Sequence, residues 1–327
     1  MLAKKLNETI EPLCSGYSEY ALLDFPAHSN VGDSAIYLGE LAIFDRIFNR
    51  PPSYVCTKED TAGDIGDFTE NGIIFIHGGG NFGDIWPAHQ IFLQRMLKQH
   101  PNRKIVQLPQ SINFSTQSAI DETARAIAGH PDFTLLVRDY QAFEFAEKHF
   151  DCLVKMCPDA AYALGDIDVD RHAIKRDVLC LLRSDKERKL TTAEYNILES
   201  LGDIEDWIGE VSVKTTADRW NKLKYTYLPF MRAGLMPPRE QMFRRHAQTR
   251  LERGIAQLAS AKWIISDRLH VHILASMMGK EHYVLDNSYN KVRNFIDAWP
   301  KDNTTHIVDS IGDLKNIVYS DSCGSLI

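Results

Sequence analysis

The sequence predicts an α/β protein of two Rossmann-like domains facing each other across a cleft. Three observations predict it. Short apolar runs of strand length alternate with helical patterns along most of the chain, as in parallel sheets covered on both faces. Several runs end directly in Gly, Asn, Asp, Arg or His, which puts polar chemistry at the carboxyl ends of strands, where open α/β sheets bind ligands. A stretch at 158–176, with Pro158, Gly165, Asp166, Asp168 and Asp170, breaks the alternation. The predicted domains are therefore 1–165 and 166–327. No internal sequence repeat or low-complexity segment is visible.

Length and composition narrow the class. A chain of 327 residues is long enough for two cores. Its apolar share of 44% and charged share of 25% are ordinary for a globular protein. A net charge of −7 argues against nucleic acid as a partner. No run approaches the roughly 20 apolar residues of a membrane span, and the opening MLAKKLNETIEPLC has no signal-peptide core. The six cysteines are scattered and read as reduced structural thiols of a cytoplasmic protein. Cys152 and Cys157 lack a second pair at zinc spacing, so no metal site is expected.

Taken in order, residues 1–18 suggest an entry helix, and Tyr20–Phe25 a strand. That strand opens into His28-Ser29-Asn30-Val31-Gly32-Asp33 and a helix from Ser34 to about Asn49, with Asp33 as its expected cap. Asn30 and Asp33 serve either as turn and cap or as cleft residues. Ser53–Thr57 is a second strand. Ile73–Ile76 is a third and runs into His77-Gly78-Gly79-Gly80-Asn81-Phe82-Gly83-Asp84. Consecutive glycines permit close ligand approach, so Gly79, Gly80 and Asn81 are candidate binding residues. No Gly-Lys-Ser/Thr follows, so this is not a P-loop. Asp84 stands ahead of a helix from about Ala88, where a carboxylate could take a proton from a hydroxyl.

Lys104–Leu108, Phe133–Val137 and Leu153–Met156 then read as strands, with helices at Thr116–Gly129 and Tyr140–Phe150. Asp177–Leu182 begins the second half and delivers Arg183 at its end. The span 210–253 holds ten Lys or Arg against four Asp or Glu, interleaved with Trp220, Tyr225, Tyr227 and Phe230. It is either a helical insert with a solvated basic face or a surface that docks on anionic lipid. Phe243, Ala247, Leu251, Ile255 and Leu258 follow helical spacing.

The densest stretch is 262–295. Trp263-Ile264-Ile265 has strand length and stops at Ser266-Asp267, both good helix N-caps. Arg268, Leu269 and His270 fall in the first turn of a helix. Free amides, the helix dipole and an adjacent Arg together make an anion site. Tyr283-Val284-Leu285 is the next strand, and its end carries Ser288 and Lys291. Thr305–Val308 and Asp309–Tyr319 close the chain as strand and helix.

Three of these motifs, 266–270, 286–291 and 77–84, resemble in sequence and in order those of the polysaccharide pyruvyl transferase family. The resemblance spans about Asn30 to Trp299. The family usually has Gly after the histidine, whereas Val271 stands here. The resemblance implies transfer of the enolpyruvyl part of phosphoenolpyruvate to a sugar of a surface or exopolysaccharide, or of its lipid-linked precursor. Closure of a cyclic ketal and release of phosphate follow. It implies a GT-B-like arrangement, with the donor on the C-terminal domain and the sugar on the N-terminal one, and no cofactor. Arg183 matches a donor-binding Arg of the family, and Asn30-x-Gly32-Asp33 a cleft-bordering motif.

On this reading Arg183, Arg268 and Lys291 supply the charge that phosphoenolpyruvate needs, with Leu269 and His270 amides beside them. His270 is the expected acid. The alternative is that it only hydrogen-bonds the donor. Asp84 is the first expected base and Asp33 the second. His28, His77 and His272 are expected to be structural or to line the acceptor side. The enzyme is expected in the cytoplasm, with the basic span as a contact to the inner membrane face. Two rival functions fit the same fold class: a GT-B glycosyltransferase using a nucleotide sugar, for which Glu281 is a weak ribose ligand, and a non-catalytic phospho-ligand binding protein.

Overall fold

The computed structural model describes residues 1–60, 72–185, 188–207, 238–286, 290–312 and 314. Among them, seven strands form a parallel sheet: β1 (Glu19–Leu23), β2 (Tyr54–Val55), β3 (Gly72–Ile76), β4 (Gly79–Gly83), β5 (Ile105–Asn113), β6 (Phe133–Val137) and β7 (Leu153–Met156). Their order is β2-β1-β3-β5-β6-β7, with β4 paired to β5. A second parallel sheet holds β8 (Arg176–Leu181), β9 (Asp203–Glu205), β10 (Ala261–Ser266), β11 (His282–Val284) and β12 (Thr305–Ile307). Its order is β12-β11-β10-β8-β9.

Both sheets follow one plan. The chain starts inside the sheet, adds one strand on one side, then crosses back and continues on the other. This doubly wound order leaves a switch point between β1 and β3 and another between β8 and β10. Connections depart in opposite directions there and open a crevice at the carboxyl edge. The residues immediately beyond these four strands are the ones singled out by the sequence motifs. Strands β1, β3 and β6 are buried throughout, as expected for parallel sheets covered by helices on both faces.

The helices of the first half are α1 (Leu2–Ile10), α2 (Val31–Phe48), α3 (Pro87–Gln99), α4 (Gln117–Ala128) and α5 (Tyr140–His149). Those of the second are α6 (Thr192–Glu199), α7 (Arg239–Ala259), α8 (Leu269–Met277) and α9 (Lys291–Ala298). Helix α7 joins the halves. Phe243 and Ala247 enter the core beside the first sheet, and Phe243 stacks on Phe25 with ring centroids 4.0 Å apart. Ile255 and Leu258 enter the core beside the second sheet. Gly254 allows this close approach, because a Cβ there would lie 2.3 Å from Val31 of α2.

Several expectations are corrected. The strand read as Lys104–Leu108 does not stop there: β5 extends past Pro109, and Gly79–Gly83 forms β4 and pairs with it. The β5–β6 register slips between Gln107 and Gln110, across Pro109, which has no N–H for a regular ladder; the β4–β5 register slips between Gly79 and Phe82. Asp33 does not cap α2. Asn30 does, its Oδ1 accepting the Gly32 amide at 3.1 Å. Nor do Ser266 and Asp267 cap α8, whose N-cap position is Arg268.

Three arginines in the described part of the basic span bond to the first half, while Arg245 is exposed. Arg244 pairs with Asp45 at 2.9 Å, Arg250 donates to the Pro26 carbonyl and Arg253 to the Ser29 carbonyl. These arginines of α7 hold the first half and the loop leading to Asn30. Residues 210–237, including Trp220 and its aromatic neighbours, lie outside the described residues, as does Ser288. No helix among the described residues is long and apolar enough to cross a membrane. Cys14, Cys56, Cys152, Cys157 and Cys180 are free thiols; Cys323 lies outside the described residues.

Candidate active site

The carboxyl edges of the two sheets meet at a cleft of about 460 Å³, within the roughly 300–1,000 Å³ usual for small-molecule sites. From the first half come His28, Asn30, Asp33, Gly80, Asn81 and Arg138; from the second, Arg183, Arg268, Leu269, His270 and Lys291. Most of the sequence-predicted residues are thus brought together. Gly79 stands just behind, with φ +123 and its Cβ position 3.5 Å from Asp33 Oδ1.

Asp84 is not part of the cleft wall. Its carboxylate accepts the Ser115 amide at 2.8 and 2.9 Å, the Ser115 hydroxyl at 2.8 Å and the Thr116 amide at 3.1 Å. Burial pushes its carboxyl up, but these bonds together outweigh that and hold it below the usual range. It fastens the start of α4.

Asp33 sits in the first turn of α2, facing the cleft. Asn30 Nδ2 donates to its Oδ2 at 2.8 Å, and His28 Nε2 lies 3.5 Å away. Burial would raise its carboxyl, but His28, His270, His77 and His89 bring it below its ordinary value. Asp33 is therefore an ionised carboxylate among histidines.

The anion side is built from strand ends. Arg268 is 3% exposed, and its Nη2 is bonded to Asp206. Its Nε is buried without a hydrogen-bond partner among the described residues, as is Trp207 Nε1 beside it. Such orphaned donors are uncommon in native interiors and mark a place suited to an acceptor-rich ligand. Ser266 ties β10 to β8 through the Leu181 carbonyl and receives the Arg268 amide at 3.0 Å. Asp267 accepts the Arg183 amide at 2.9 Å. Burial raises the Asp267 carboxyl to about 6, against the pull of that amide and the two arginines. Arg183 makes a two-pronged pair with Asp185, at 3.0 and 2.7 Å.

Arg138 and Asp159 were not among the sequence candidates. Arg138 follows β6 directly, as Arg183 follows β8 closely, so a basic residue just after an apolar strand was the available signal. Its Nε donates to Ser111 at 3.0 Å and its Nη1 to Asp159 at 2.5 Å. Its Nη2 points to Gly80, 3.3 Å from where a Cβ would stand, and Lys291 Nζ is 3.4 Å from the same point. Two cations therefore converge on one glycine, and any larger residue at 80 would intrude between them. His270 Nε2 faces Asp159 Oδ2 at 3.2 Å. Trp86, Pro87, Ala88 and His89 of the α3 entry form the opposite wall. His89 is held by Asp24 at 2.5 Å.

Two predicted histidines stand apart from the cleft wall. His77 Nδ1 donates to Glu40 at 2.8 Å, and Glu40 also accepts the Gly78 amide at 2.8 Å. This buried pair anchors the backbone entering β4. His272 donates through Nδ1 to His282 Nε2 at 2.9 Å, while His282 Nδ1 donates to the Lys280 carbonyl.

The fold and this site define a two-sheet α/β protein with an arginine-lined cleft at paired switch points. The chain belongs to the polysaccharide pyruvyl transferase family, whose model matches residues 30–289. It is similar to Pyruvyl transferase 1 of Schizosaccharomyces pombe, at 31% identity over 91% of this chain and 74% of that protein. It is also similar to the Bacillus subtilis protein named "Putative pyruvyl transferase EpsO", at 28% identity over 86% and 85% of the two chains. Among solved structures, an uncharacterized protein from Klebsiella pneumoniae superposes with a TM-score of 0.60 at 19% identity, covering 93% of this chain and 99% of that one. That likeness concerns the fold alone.

Proposed function

We propose that this protein transfers pyruvate from phosphoenolpyruvate to a sugar of a surface or exopolysaccharide, closing a cyclic ketal and releasing phosphate. The observation that carries the reading is the meeting of Arg138, Arg268, Lys291 and His270 at one cleft, with Asp33 beside them. Phosphoenolpyruvate brings a carboxylate and a phosphate, and planar guanidinium groups match both.

His270 acts as the acid and Asp33 as the base. A proton passes from His270 to C3 while the C2=C3 electron pair forms the new C–H bond. Positive charge builds at C2, and a sugar hydroxyl attacks there as its proton moves to Asp33. The C2–O bond to phosphate breaks, and the leaving group takes the proton from Asp33. A second hydroxyl closes the ring and returns a proton to His270. Arg268, Arg138 and Lys291 offset the charge of the departing phosphate. No cofactor takes part in this scheme. The donor is a cytoplasmic metabolite, which puts the reaction in the cytoplasm, on a free or lipid-linked acceptor.

Thermal unfolding tests the donor. A ligand that binds only the folded state raises the melting temperature. Phosphoenolpyruvate is expected to raise it, and UDP- or GDP-sugars to leave it unchanged. The reverse pattern would replace this reading with glycosyl transfer. Turnover is then read as phosphate release together with a sugar that gains pyruvate less one water.

A further inference from the structure

Three parts of the chain meet at one carboxylate. Asp159 lies on the connection between the sheets and is 1% exposed. Its Oδ1 accepts the Ala161 amide at 2.9 Å. Its Oδ2 accepts Arg138 Nη1 at 2.5 Å and faces His270 Nε2 at 3.2 Å. Burial pushes this carboxyl up, yet His270, Arg138 and the Ala161 amide together hold it far below the ordinary carboxylate range. An ionised carboxylate can only accept, so the nitrogen facing it must carry the proton. In the neutral imidazole the other nitrogen is then bare.

That other nitrogen is Nδ1. It has no hydrogen-bond partner among the described residues and lies against the backbone of Gly32, on a ring that lines the cleft. Among the described residues, charged and titratable groups near the ring include Asp33 from α2 with His28 beside it, Arg138 beyond Asp159, and Arg268 two residues earlier in the chain. Lys291 also lines the cleft.

We propose that Asp159 is the positioning residue of His270. It fixes the ring as the Nε2–H form, presents Nδ1 as the atom that carries the working proton, and stabilises the imidazolium formed when Nδ1 is protonated. Because Arg138 shares the same oxygen, the grip on the donor and the orientation of the acid are set by one group. This deepens the pyruvyl-transfer reading and rests on His270 as the acid.

The test has two arms. In the wild-type protein, nitrogen NMR of the His270 ring, assigned with His270→Gln and followed with pH, is expected to show the imidazolium on the acid side of its titration and, for the neutral ring, the Nε2–H form with Nδ1 unprotonated. An Nδ1–H form overturns the proposal. In Asp159→Asn an oxygen kept toward Arg138 Nη1 and His270 Nε2, which share Oδ2, still accepts from both but is neutral and no longer stabilises the imidazolium. Turnover is expected to fall on the order of 10³-fold, as when a buried carboxylate behind a catalytic histidine is made neutral. The KM for phosphoenolpyruvate should stay within a few-fold. The alkaline limb of the kcat–pH profile should move down by about one unit. Lower amplitude with an unmoved limb means a merely structural role and also overturns it. If Asp159→Asn does not fold, the wild-type ring form decides alone. A wild-type Nε2–H ring in a protein that neither binds nor consumes phosphoenolpyruvate would refute the donor assignment and leave the positioning of His270 standing.

Discussion

The imidazole of His270 rests on the backbone of Gly32. A Cβ at Gly32 would lie 2.5 Å from Nδ1, 2.6 Å from Cγ and 2.8 Å from Cβ of His270. The first turn of α2 and the first turn of α8 are thus in contact through a residue with no side chain. This brings His270 and Asp33 to one cleft, although they stand 237 positions apart in sequence.

Gly32→Ala is therefore expected to damage activity without unfolding the protein. Ala favours a helix over Gly by up to about 1 kcal/mol, so the helix itself is not weakened. The clash reaches the root of the His270 side chain, which cannot swing clear, and a shift near 1 Å at a reacting group costs on the order of 100-fold in rate. Turnover and melting temperature measured together check this. A variant with normal turnover would mean that the ring has freedom the packing denies.

Arg268→Ala should abolish the melting shift produced by phosphoenolpyruvate. It also strips Asp206 of its buried cation, and removing one partner of such a pair costs roughly 3 kcal/mol. A lower baseline melting temperature is thus part of the expectation. Arg268→Lys keeps the charge but loses the planar fork, so it should bind the donor weakly. Unaltered donor affinity in Arg268→Ala would take Arg268 out of the binding site.

Asp84→Asn should leave turnover within about twofold of wild type. Its cost falls on stability, about 1 kcal/mol, because the carboxylate holds the amides and hydroxyls at the start of α4. Asp33→Asn, by contrast, should slow turnover by 10²-fold or more, as expected for loss of a general base. If Asp84→Asn were the slower of the two, the base assignment would reverse.

Acid should destabilise the protein partly through His272. The folded chain uses both His272 and His282 as neutral rings, since each Nδ1 donates onward and His282 Nε2 must accept. Burial, with His282 nearby, lowers His272 from 6.5 to about 3, and burial lowers His282 as well. The unfolded chain therefore takes up protons below about pH 6.5 that the folded chain refuses. Stability is full above that pH and is lost as pH falls toward 3, at up to about 1.4 kcal/mol per pH unit per proton. Urea midpoints between pH 7 and 4 report the slope, which should be shallower in His272→Gln. An equal slope in the two proteins would place the acid sensitivity elsewhere.

Much of the fold was legible because its elements are local. The strands Phe133–Val137 and Leu153–Met156 match their apolar runs residue for residue. The helices begin and end near residues with capping chemistry. Where tertiary pairing overrides a local signal, the reading failed. A strand that reads as ending at Leu108 continues past Pro109, and Gly79 and Gly80 are drawn into β4 because β5 offers them a partner. Asp33 reads as a cap, but Asn30 reaches the free amide first.

The sequence by itself determined the alternation of strand and helix, the polar strand ends, and the motif order that identifies the family, because backbone periodicity and capping are encoded within a few residues. Only the tertiary structure decided which of those polar residues face one another. Asp84 and Asp33 both stand near glycines at the ends of the first-half strand runs, and nothing local separates them. One is consumed by Ser115 and Thr116, and the other lines the cleft beside Asn30 and His28. Arg138 and Asp159 join the site for the same reason. Two doubly wound sheets open their switch points toward a common cleft, and the charges that meet there come from segments whose separation along the chain carries no trace of the contact.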